Sequence, residues 1–290
     1  MSPHFNPRGV LSGAGIRSPR VSVCIPTYKG VATLGLAINS VLEQTFRDFE
    51  LLIIDDNSPD DTQTLVGGFL DTRIRYLRNA VNLGPEGNWN RCLTEARGQY
   101  FKLLPHDDLL HPDCLARQVS VLDADSGSQI ALVFSARDVL DASGHKVAQR
   151  GYPGTRRGRL AAADVRRQCV RRGTNLLGEP GAVMFRLPLA NRIGAFDARE
   201  PYVIDLDYWL RLLAHGDAYY LPEPLASFRV SRNQWSVVLG QQQSADFLRC
   251  VARHSPGWAE QPGLVDRVLG RITPSLNNLA RRIFYRVYLR

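Results

Sequence analysis

The first hundred residues alternate between short apolar segments and segments with helical spacing, and this alternation constrains the fold more than any other feature. Residues 21–26, 49–54, 73–77 and 99–104 have the length and composition of strands. The run at 49–54 is almost continuously apolar, which is typical of a strand covered on both faces. Repeated strand–helix–strand order predicts an α/β fold, in which helices flank a mixed, mainly parallel sheet.

Polar side chains follow three of these strands at the point where each strand ends. The carboxyl ends of parallel strands meet at one edge of a sheet, and ligands collect there. We therefore expect these side chains to line a common site. They are Thr27 and Tyr28, Asp55 and Asp56, and Asp107 and Asp108.

The adjacent carboxylates Asp107 and Asp108 directly follow an apolar strand. Neighbouring negative charges in such a place need a compensating cation, and Mg²⁺ or Mn²⁺ prefers carboxylate oxygens. Because side chains alternate along an extended chain, one carboxylate would face a metal and the other a hydroxyl. The alternative is that Asp107 caps the next helix while Asp108 is solvated. The two other polar strand ends favour the metal site.

The second half of the chain has a less regular pattern. Residues 130–135 predict a further strand, and 219–224 and 225–230 predict two short extended pieces. The basic, glycine-rich segment 151–173 has weak periodicity, so we expect a mobile loop or an insertion that faces the acceptor there. From about residue 236 the pattern is helical to the end.

The formal net charge of +8 suggests an anionic partner. Nucleic acid, an anionic membrane surface and small anions such as nucleotides would all fit this charge. The positive residues are spread along the chain, and no basic cluster alternates with aromatic residues as in single-strand binders. We therefore expect no nucleic-acid partner.

Three further features bear on the compartment. The first 19 residues are rich in Pro, Gly and Ser and predict a flexible tail. No segment approaches the roughly 20 consecutive apolar residues that a membrane-spanning helix needs. The five cysteines have wide, unpatterned spacing, which favours reduced thiols in a cytoplasmic setting over a zinc site.

Several segments, taken in order, resemble an inverting family-2 glycosyltransferase of the GT-A fold. They are residues 21–28, 54–58, 82–84, 96–98 with the strand into Asp107 and Asp108, 194–197, and Asp205 with Trp209 four residues on. The resemblance covers about residues 20–235. It implies a nucleotide-binding half at 20–125 and an acceptor half at 126–235, between the tail at 1–19 and a helical C-terminal extension at 236–290.

The resemblance also implies roles for the residues at the strand ends. Thr27, Tyr28 and Asp56 would hold the base of a nucleotide-diphosphate sugar. Asp107 would contact the ribose, and Asp108 would bind the Mg²⁺ or Mn²⁺ that the donor diphosphate carries. The metal would stabilise the leaving phosphate as charge develops on it.

Asp205 matches the catalytic base of the family. It would take the proton of an acceptor hydroxyl that attacks the anomeric carbon. Asp207 is the alternative base, although an acid in the first turn of a helix is also favoured by the helix dipole. Glu179 is a further candidate for contact with the acceptor.

The sequence departs from the family pattern at several positions. Pro105 and His106 precede the acidic pair where an additional Asp is common, Ile204 replaces a Glu before the base, and Ser231 replaces a His. The Gln-x-x-Arg-Trp motif of processive synthases is absent from the sequence, which favours the transfer of a single sugar.

The expected activity is therefore transfer from a nucleotide-diphosphate sugar to a glycan, a lipid-linked or another hydroxyl acceptor, in the synthesis of a bacterial surface polysaccharide or glycoconjugate. A non-catalytic nucleotide-sugar-binding subunit of the same fold is the main alternative. A nucleotidyltransferase is disfavoured, because residues 27–30 lack the glycine-rich basic loop expected after its first strand.

An apolar stripe near the end of the chain leaves three alternatives open. Leu276, Leu279, Ile283 and Val287 recur at helical spacing and are flanked by arginines. Such a stripe lies on the anionic inner face of the plasma membrane, packs on the rest of the fold, or forms a dimer contact. The sequence defines no oligomeric state.

Overall fold

The computed structural model describes residues 18–154, 156–230, 239, 242–257 and 261–288. The side chains of residues 257, 282 and 284–288 are not part of this description. Almost all of the predicted tail at 1–19 lies outside the described residues, as do Ser231, the predicted domain boundary at 235/236 and the side chain of Val287.

The N-terminal half forms the alternating unit that the sequence predicts. Its strands are β1 Val21–Thr27, β2 Phe49–Asp55, β3 Ile74–Arg78 and β4 Tyr100–Leu103. They are parallel in the order β3-β2-β1-β4. The intervening helices are α1 Leu34–Leu42, α2 Thr62–Gly67 and α3 Gly84–Glu95. Every residue of β1, β2 and β4 is buried, as expected for strands covered on both faces.

The second half extends this sheet across its other edge. It adds β5 Leu109–Leu110, β6 Ile130–Leu140, β7 Lys146–Arg150, β8 Gly158–Leu160, β9 Val183–Arg186 and β10 Asp217–Arg229. The main path is β3-β2-β1-β4-β9-β6-β10-β5, with β7 beside β6 and β8 beside β10. β9 is antiparallel to both neighbours, whereas the parallel pairings include most of the paired residues. The predicted mixed, mainly parallel α/β fold is confirmed.

Within the described residues, six α-helices accompany these strands. They are α4 Cys114–Ala124, α5 Ala162–Arg172, α6 Leu187–Ile193, α7 Ile204–Leu212, α8 Gln243–His254 and α9 Leu264–Tyr288. The last two form the predicted helical extension. Within the described residues, we find no helix of sufficient length and hydrophobicity to cross a membrane.

The expectation of a loop at 151–173 was wrong, because this segment contains β8 and α5. Val165, Cys169 and Val170 are buried along one side of α5. The arginines on either side of these residues obscure that spacing in the sequence. Similarly, the two short extended pieces predicted at 219–230 belong to the single strand β10, whose register shifts around Pro224.

Two hydrophobic clusters pack on the opposite faces of the sheet. One includes Phe101, Phe185 and Trp209, and Phe247 of α8 joins it. The other includes Ile25 of β1. The C-terminal extension therefore contributes to the main core, which fixes α8 beside the carboxyl ends of the strands.

Candidate active site

A cavity of about 1430 Å³ lies at the carboxyl ends of β1, β2 and β4. The structure brings six of the residues predicted from the sequence into its wall. They are Thr27, Tyr28, Asp56, Asp107, Asp108 and Asp205. Asp207, the alternative base, does not line it. The strand ends and the first turn of α7 therefore face one shared space.

At the end of β1, Thr27 and Tyr28 present different surfaces to the cavity. Thr27 is buried, and its hydroxyl has no hydrogen-bond partner among the described residues. A buried polar atom left unpaired costs about 1–3 kcal/mol, so a bound ligand that pairs with it would gain that amount. Tyr28 is 41% exposed, and its ring offers a flat apolar surface for stacking.

At the end of β2, Asp56 organises the loop that precedes α3. Its Oδ1 accepts hydrogen bonds from Asn79 Nδ2 at 2.5 Å and from the Leu83 backbone N–H at 2.8 Å. Its Oδ2 accepts one from the Gly84 backbone N–H at 2.9 Å. A carboxylate oxygen has two acceptor positions, so Oδ2 retains capacity for a ligand donor. Asp56 thus both shapes this wall of the cavity and faces it.

Asp55, its neighbour, is structural. Its carboxylate accepts hydrogen bonds from the Ser58 backbone N–H at 2.9 Å and the Tyr76 hydroxyl at 2.6 Å. Burial and the bond to Asp55 raise the pKa of Tyr76. Asp55 is also absent from the cavity wall. Because side chains alternate in direction along an extended chain, the two adjacent carboxylates point different ways, and only Asp56 lines the cavity.

The acidic pair after β4 lies deep in the cavity. Asp108 is 1% exposed, and its Oδ1 accepts a hydrogen bond from the Arg229 backbone N–H at 3.0 Å. The Arg229 guanidinium instead donates to the backbone oxygens of Asp107, Asp141 and Ala142. Burial, followed by the charge of Asp107, raises the pKa of Asp108 well above its usual value. Burial also raises the pKa of Asp107.

These residues fit a divalent cation. No lysine, arginine or histidine side chain within the described ranges forms an ion pair with Asp108. The almost fully buried Asp108, which has no such ion pair, and the adjacent, partly buried Asp107 offer oxygen ligands of the kind that Mg²⁺ and Mn²⁺ prefer. The alternative from sequence, a solvated Asp108, is wrong because the residue is almost fully buried.

Asp205 lies in the first turn of α7 and is partly buried in the cavity wall. Its Oδ2 accepts a hydrogen bond from Asn175 Nδ2 at 2.9 Å, and its Oδ1 accepts one from the Leu206 backbone N–H at 2.7 Å. Burial, followed by the nearby charge of Glu179, raises the pKa of Asp205 to about 7. A carboxyl group with this pKa can accept a proton near neutral pH.

Sequence reasoning missed Asn175, which orients Asp205. The Oδ1 of Asn175 accepts hydrogen bonds from the backbone N–H groups of Leu177 and Gly178, while its Nδ2 reaches Asp205 and the Gly178 oxygen. These bonds fix the rotamer of the amide. The only local sign in the sequence is an Asn close to glycines, which indicates a turn and not a partner 30 residues away.

Glu179, the candidate for acceptor contact, also lines the cavity. It pairs with Arg137 of β6 at 2.6 Å, and Arg137 is 5% exposed. Although burial opposes ionisation, the charges of Arg137 and Arg150 keep the pKa of Glu179 below its usual value. A permanent negative charge therefore stands close to Asp205.

Asp207 faces away from the cavity towards α8. It is fully buried and lies 2.9 Å from Arg211 Nε, 3.1 Å from Arg253 Nη1 and 2.7 Å from His254 Nε2. Burial favours the neutral form, but His254 and the two arginines outweigh it and hold the pKa of Asp207 below its usual value. Cys250 lies close enough to complete a three-ligand group, yet two guanidinium groups on the same carboxylate oppose a metal ion there.

The C-terminal extension closes the remaining side of the cavity. Gln243 and Phe247 of α8 and Asn277 and Arg281 of α9 line it, next to Tyr202. The sequence predicted the helices but not this role, since no local pattern reports a contact with a distant cavity.

The acidic pair and Asp205 thus lie in one cavity at the carboxyl ends of a mixed, mainly parallel sheet. The family model described as "Glycosyl transferase family 2" matches residues 22–183. The chain belongs to this family.

Two curated relatives illustrate the match. The "Uncharacterized protein MT1568" of Mycobacterium tuberculosis is 35% identical over 215 residues, 72% of this chain and 66% of its own length. The Escherichia coli "UDP-Glc:alpha-D-GlcNAc-diphosphoundecaprenol beta-1,3-glucosyltransferase WfgD" is 37% identical over 102 residues, 35% of this chain and 40% of its own. This chain spans 64% to 66% of the length of three of the curated relatives, which match 72% to 76% of its residues.

The fold is that of a solved glycosyltransferase structure. S. aureus TarS 1–349 in complex with UDP-GlcNAc superposes with a TM-score of 0.68 and 16% identity, covering 89% of this chain and 73% of that chain. This similarity confirms the predicted GT-A fold.

Proposed function

We propose that this protein transfers one sugar from a nucleotide-diphosphate sugar to an acceptor hydroxyl, with inversion at the anomeric carbon and with a divalent cation. The observation that carries the proposal is a single cavity with Asp107 and Asp108 in one wall and Asp205 in another. A donor held by its diphosphate would present its sugar to the base.

The donor end binds the nucleotide. The unpaired Thr27 hydroxyl, the Tyr28 ring and Asp56 receive the base, and Asp107 receives the ribose. Asp108 would hold Mg²⁺ or Mn²⁺ next to the donor diphosphate. When bound, the cation stabilises negative charge on the leaving phosphate.

At the acceptor end, Asp205 is the base. The acceptor oxygen attacks the anomeric carbon from the face opposite the nucleotide, the sugar–phosphate bond breaks, and the hydroxyl proton passes to Asp205. Asp205 suits this role better than Asp207, because Asp207 lies outside the cavity and its carboxylate is occupied by Arg211, Arg253 and His254.

The acceptor is a glycan or lipid-linked hydroxyl in a bacterial surface polysaccharide or related glycoconjugate, and the reaction takes place in the cytoplasm. The diphosphoundecaprenol acceptor in the name of the E. coli relative supports this class. Its match covers 35% of this chain, so it does not define the donor sugar.

A melting-temperature panel of nucleotide-diphosphate sugars, each with and without Mn²⁺ or Mg²⁺, tests the donor site. A donor at one hundred to one thousand times its Kd adds about 3–4 kcal/mol of apparent stability. We expect this gain with the cation and its loss in Asp108→Ala. Asp164→Ala removes an exposed acid that does not line the cavity and serves as the matched control. The donor site is refuted if no nucleotide sugar stabilises the protein, or if Asp108→Ala responds like the wild type.

Release of the nucleoside diphosphate separates the enzyme from the main alternative, a non-catalytic subunit of the same fold. An enzyme releases it with the acceptor present, and slowly with water as acceptor. Donor binding without any release would favour the non-catalytic subunit.

A further inference from the structure

We propose that the outer face of α9 docks on an anionic phospholipid bilayer and thereby holds the cavity next to a membrane-embedded acceptor. The outer face consists of Leu264, Val265, Val268, Ile272, Leu276, Leu279 and Ile283. The statement about the acceptor rests on the proposed function, whereas the docking itself does not.

The outer face of α9 is an exposed apolar surface. Its seven side chains are between 49% and 73% exposed. At 100° per residue they fall within an arc of about 120°. Single exposed apolar residues are ordinary, but a continuous apolar stripe along a helix marks an interaction surface.

The opposite side of α9 is fixed on the protein. Asn277 Nδ2 donates hydrogen bonds to the backbone oxygens of Arg172 and Gly173, and Thr273 Oγ1 donates to that of Arg171. A Cβ added at Gly270 would lie 2.9 Å from the backbone oxygen of Val170, which shows how closely α9 packs on α5. The helix cannot rotate to bury its apolar arc without losing these contacts.

The charge on α9 suits an anionic surface. Its one acid is Asp266, which is 9% exposed and lies 3.8 Å from Arg171. Two of its arginines, Arg267 and Arg271, are exposed beside the apolar arc, whereas Arg281 lies on the inner side of the helix. A helix with apolar residues on one arc and arginines beside them binds at the boundary of head groups and acyl chains, and anionic lipids strengthen this binding.

The same charge argues against a second copy of the chain as the occupant. In a two-fold contact, the same face of both copies meets. Each α9 would then bring Arg267 and Arg271 towards those of its partner, and the outer face has no acid to pair with them. A bilayer that contains anionic lipid supplies the missing negative charge.

The inner side of α9 forms part of the cavity wall. Asn277, Ala280 and Arg281 line the cavity, and the Arg281 guanidinium lies 5.5 Å from the ring centroid of Tyr202. One helix diameter, about 10 Å, therefore separates the outer face from the cavity. An acceptor whose lipid stays in the bilayer has to extend its head group past only this one helix.

Co-sedimentation with vesicles tests the docking. The full chain is mixed with phosphatidylcholine vesicles, with and without phosphatidylglycerol, at low and at high salt. We expect binding to the anionic vesicles that weakens with salt. The double variant Leu276→Glu/Leu279→Glu should lower the partition coefficient by about tenfold or more, because two apolar contacts are replaced by negative charges.

Matched variants separate docking from folding. Leu36→Glu/Leu70→Glu changes two apolar residues that are 54% and 92% exposed on another surface, and it should bind vesicles like the wild type. The melting temperature shows whether the α9 variant folds. If it does not, Arg267→Glu/Arg271→Glu tests the same face, and we expect weaker binding to anionic vesicles.

Three results would overturn the docking. They are no binding of the wild type to either vesicle, equal binding of the α9 variants and the wild type, and a dimer in solution that Leu276→Glu/Leu279→Glu dissociates. The last result would assign the outer face to a second copy. The vesicle assay contains no nucleotide sugar, and the melting-temperature panel contains no vesicles. A negative result in either assay therefore leaves the other proposal standing.

Discussion

Asp205 and Asp207 stand two residues apart in the first turn of α7, yet they lie in opposite environments. Asp205 faces the cavity, is held by Asn175 and a backbone N–H, and has its pKa raised to about 7 by burial and by the charge of Glu179. Asp207 faces α8 and pairs with Arg211, Arg253 and His254, which lower its pKa despite burial. Both residues are aspartates in the same helical turn. The side chains packed against each carboxyl group therefore decide which acid can exchange a proton at neutral pH.

The largest effect is expected for Asp205→Asn. The amide keeps the shape of the side chain but cannot take the acceptor proton, so we expect turnover to fall by about a thousandfold. Steady-state transfer measures this loss, and the donor-induced shift in melting temperature should persist. Turnover close to that of the wild type would remove Asp205 as the base.

Asp207→Asn should affect stability instead of chemistry. It leaves two guanidinium groups and His254 around a neutral amide, and breaking a buried ion pair costs about 3 kcal/mol or more. For a protein of this size, that loss lowers the melting temperature by about 6 to 12 °C. Turnover per folded molecule should remain within a few-fold of the wild type. A stable variant without turnover would reverse the roles of the two acids.

Asn175→Ala should give a smaller effect on catalysis. It removes a hydrogen bond that fixes Asp205 and favours the ionised carboxylate, so we expect kcat to fall by about tenfold and the apparent pKa of Asp205 to rise. A pH–rate profile measures both. Asn191→Ala, at an exposed position of α6, is the control. If the pKa stays unchanged, Asn175 acts on the fold alone.

The smallest expected effect is on the pH dependence of the transfer rate. Asp205 is inactive as a base when protonated, so the wild-type rate should rise with pH through an apparent pKa of about 7. Glu179→Gln removes a negative charge that disfavours ionisation, and it also leaves Arg137 unpaired; both changes lower this pKa. The rising limb should therefore move to lower pH. Movement to higher pH would contradict the electrostatic account of Asp205.

The part of the candidate site at the strand ends could be predicted because its information is local. Each buried strand is visible as an apolar run, and parallel strands place their ends together whatever the rest of the chain does. Thr27, Asp56 and Asp108 therefore reach the cavity as expected. The side chains that hydrogen-bond to these residues, such as Asn79 to Asp56, could not be predicted from the spacing of residues in the sequence.

The acceptor half depends on contacts between distant segments. Asp205 and Asp207 share one helical turn in the sequence, and the residues that distinguish them, Asn175 and His254, lie 30 and 47 positions away. The helical period of α5 is hidden by its arginines, and Asn277 of α9 meets α5 across 105 residues. Neither a sequence motif nor hydrophobic periodicity indicates such contacts between distant segments.

The stereochemistry of transfer tests the central claim most directly. A base on the side of the sugar opposite the nucleotide requires inversion at the anomeric carbon. Proton NMR of the first sugar product formed from a donor identified in the melting-temperature panel reads this out. We predict that an α-linked donor gives a β-linked product. An α-linked product would show retention and would contradict direct attack assisted by Asp205.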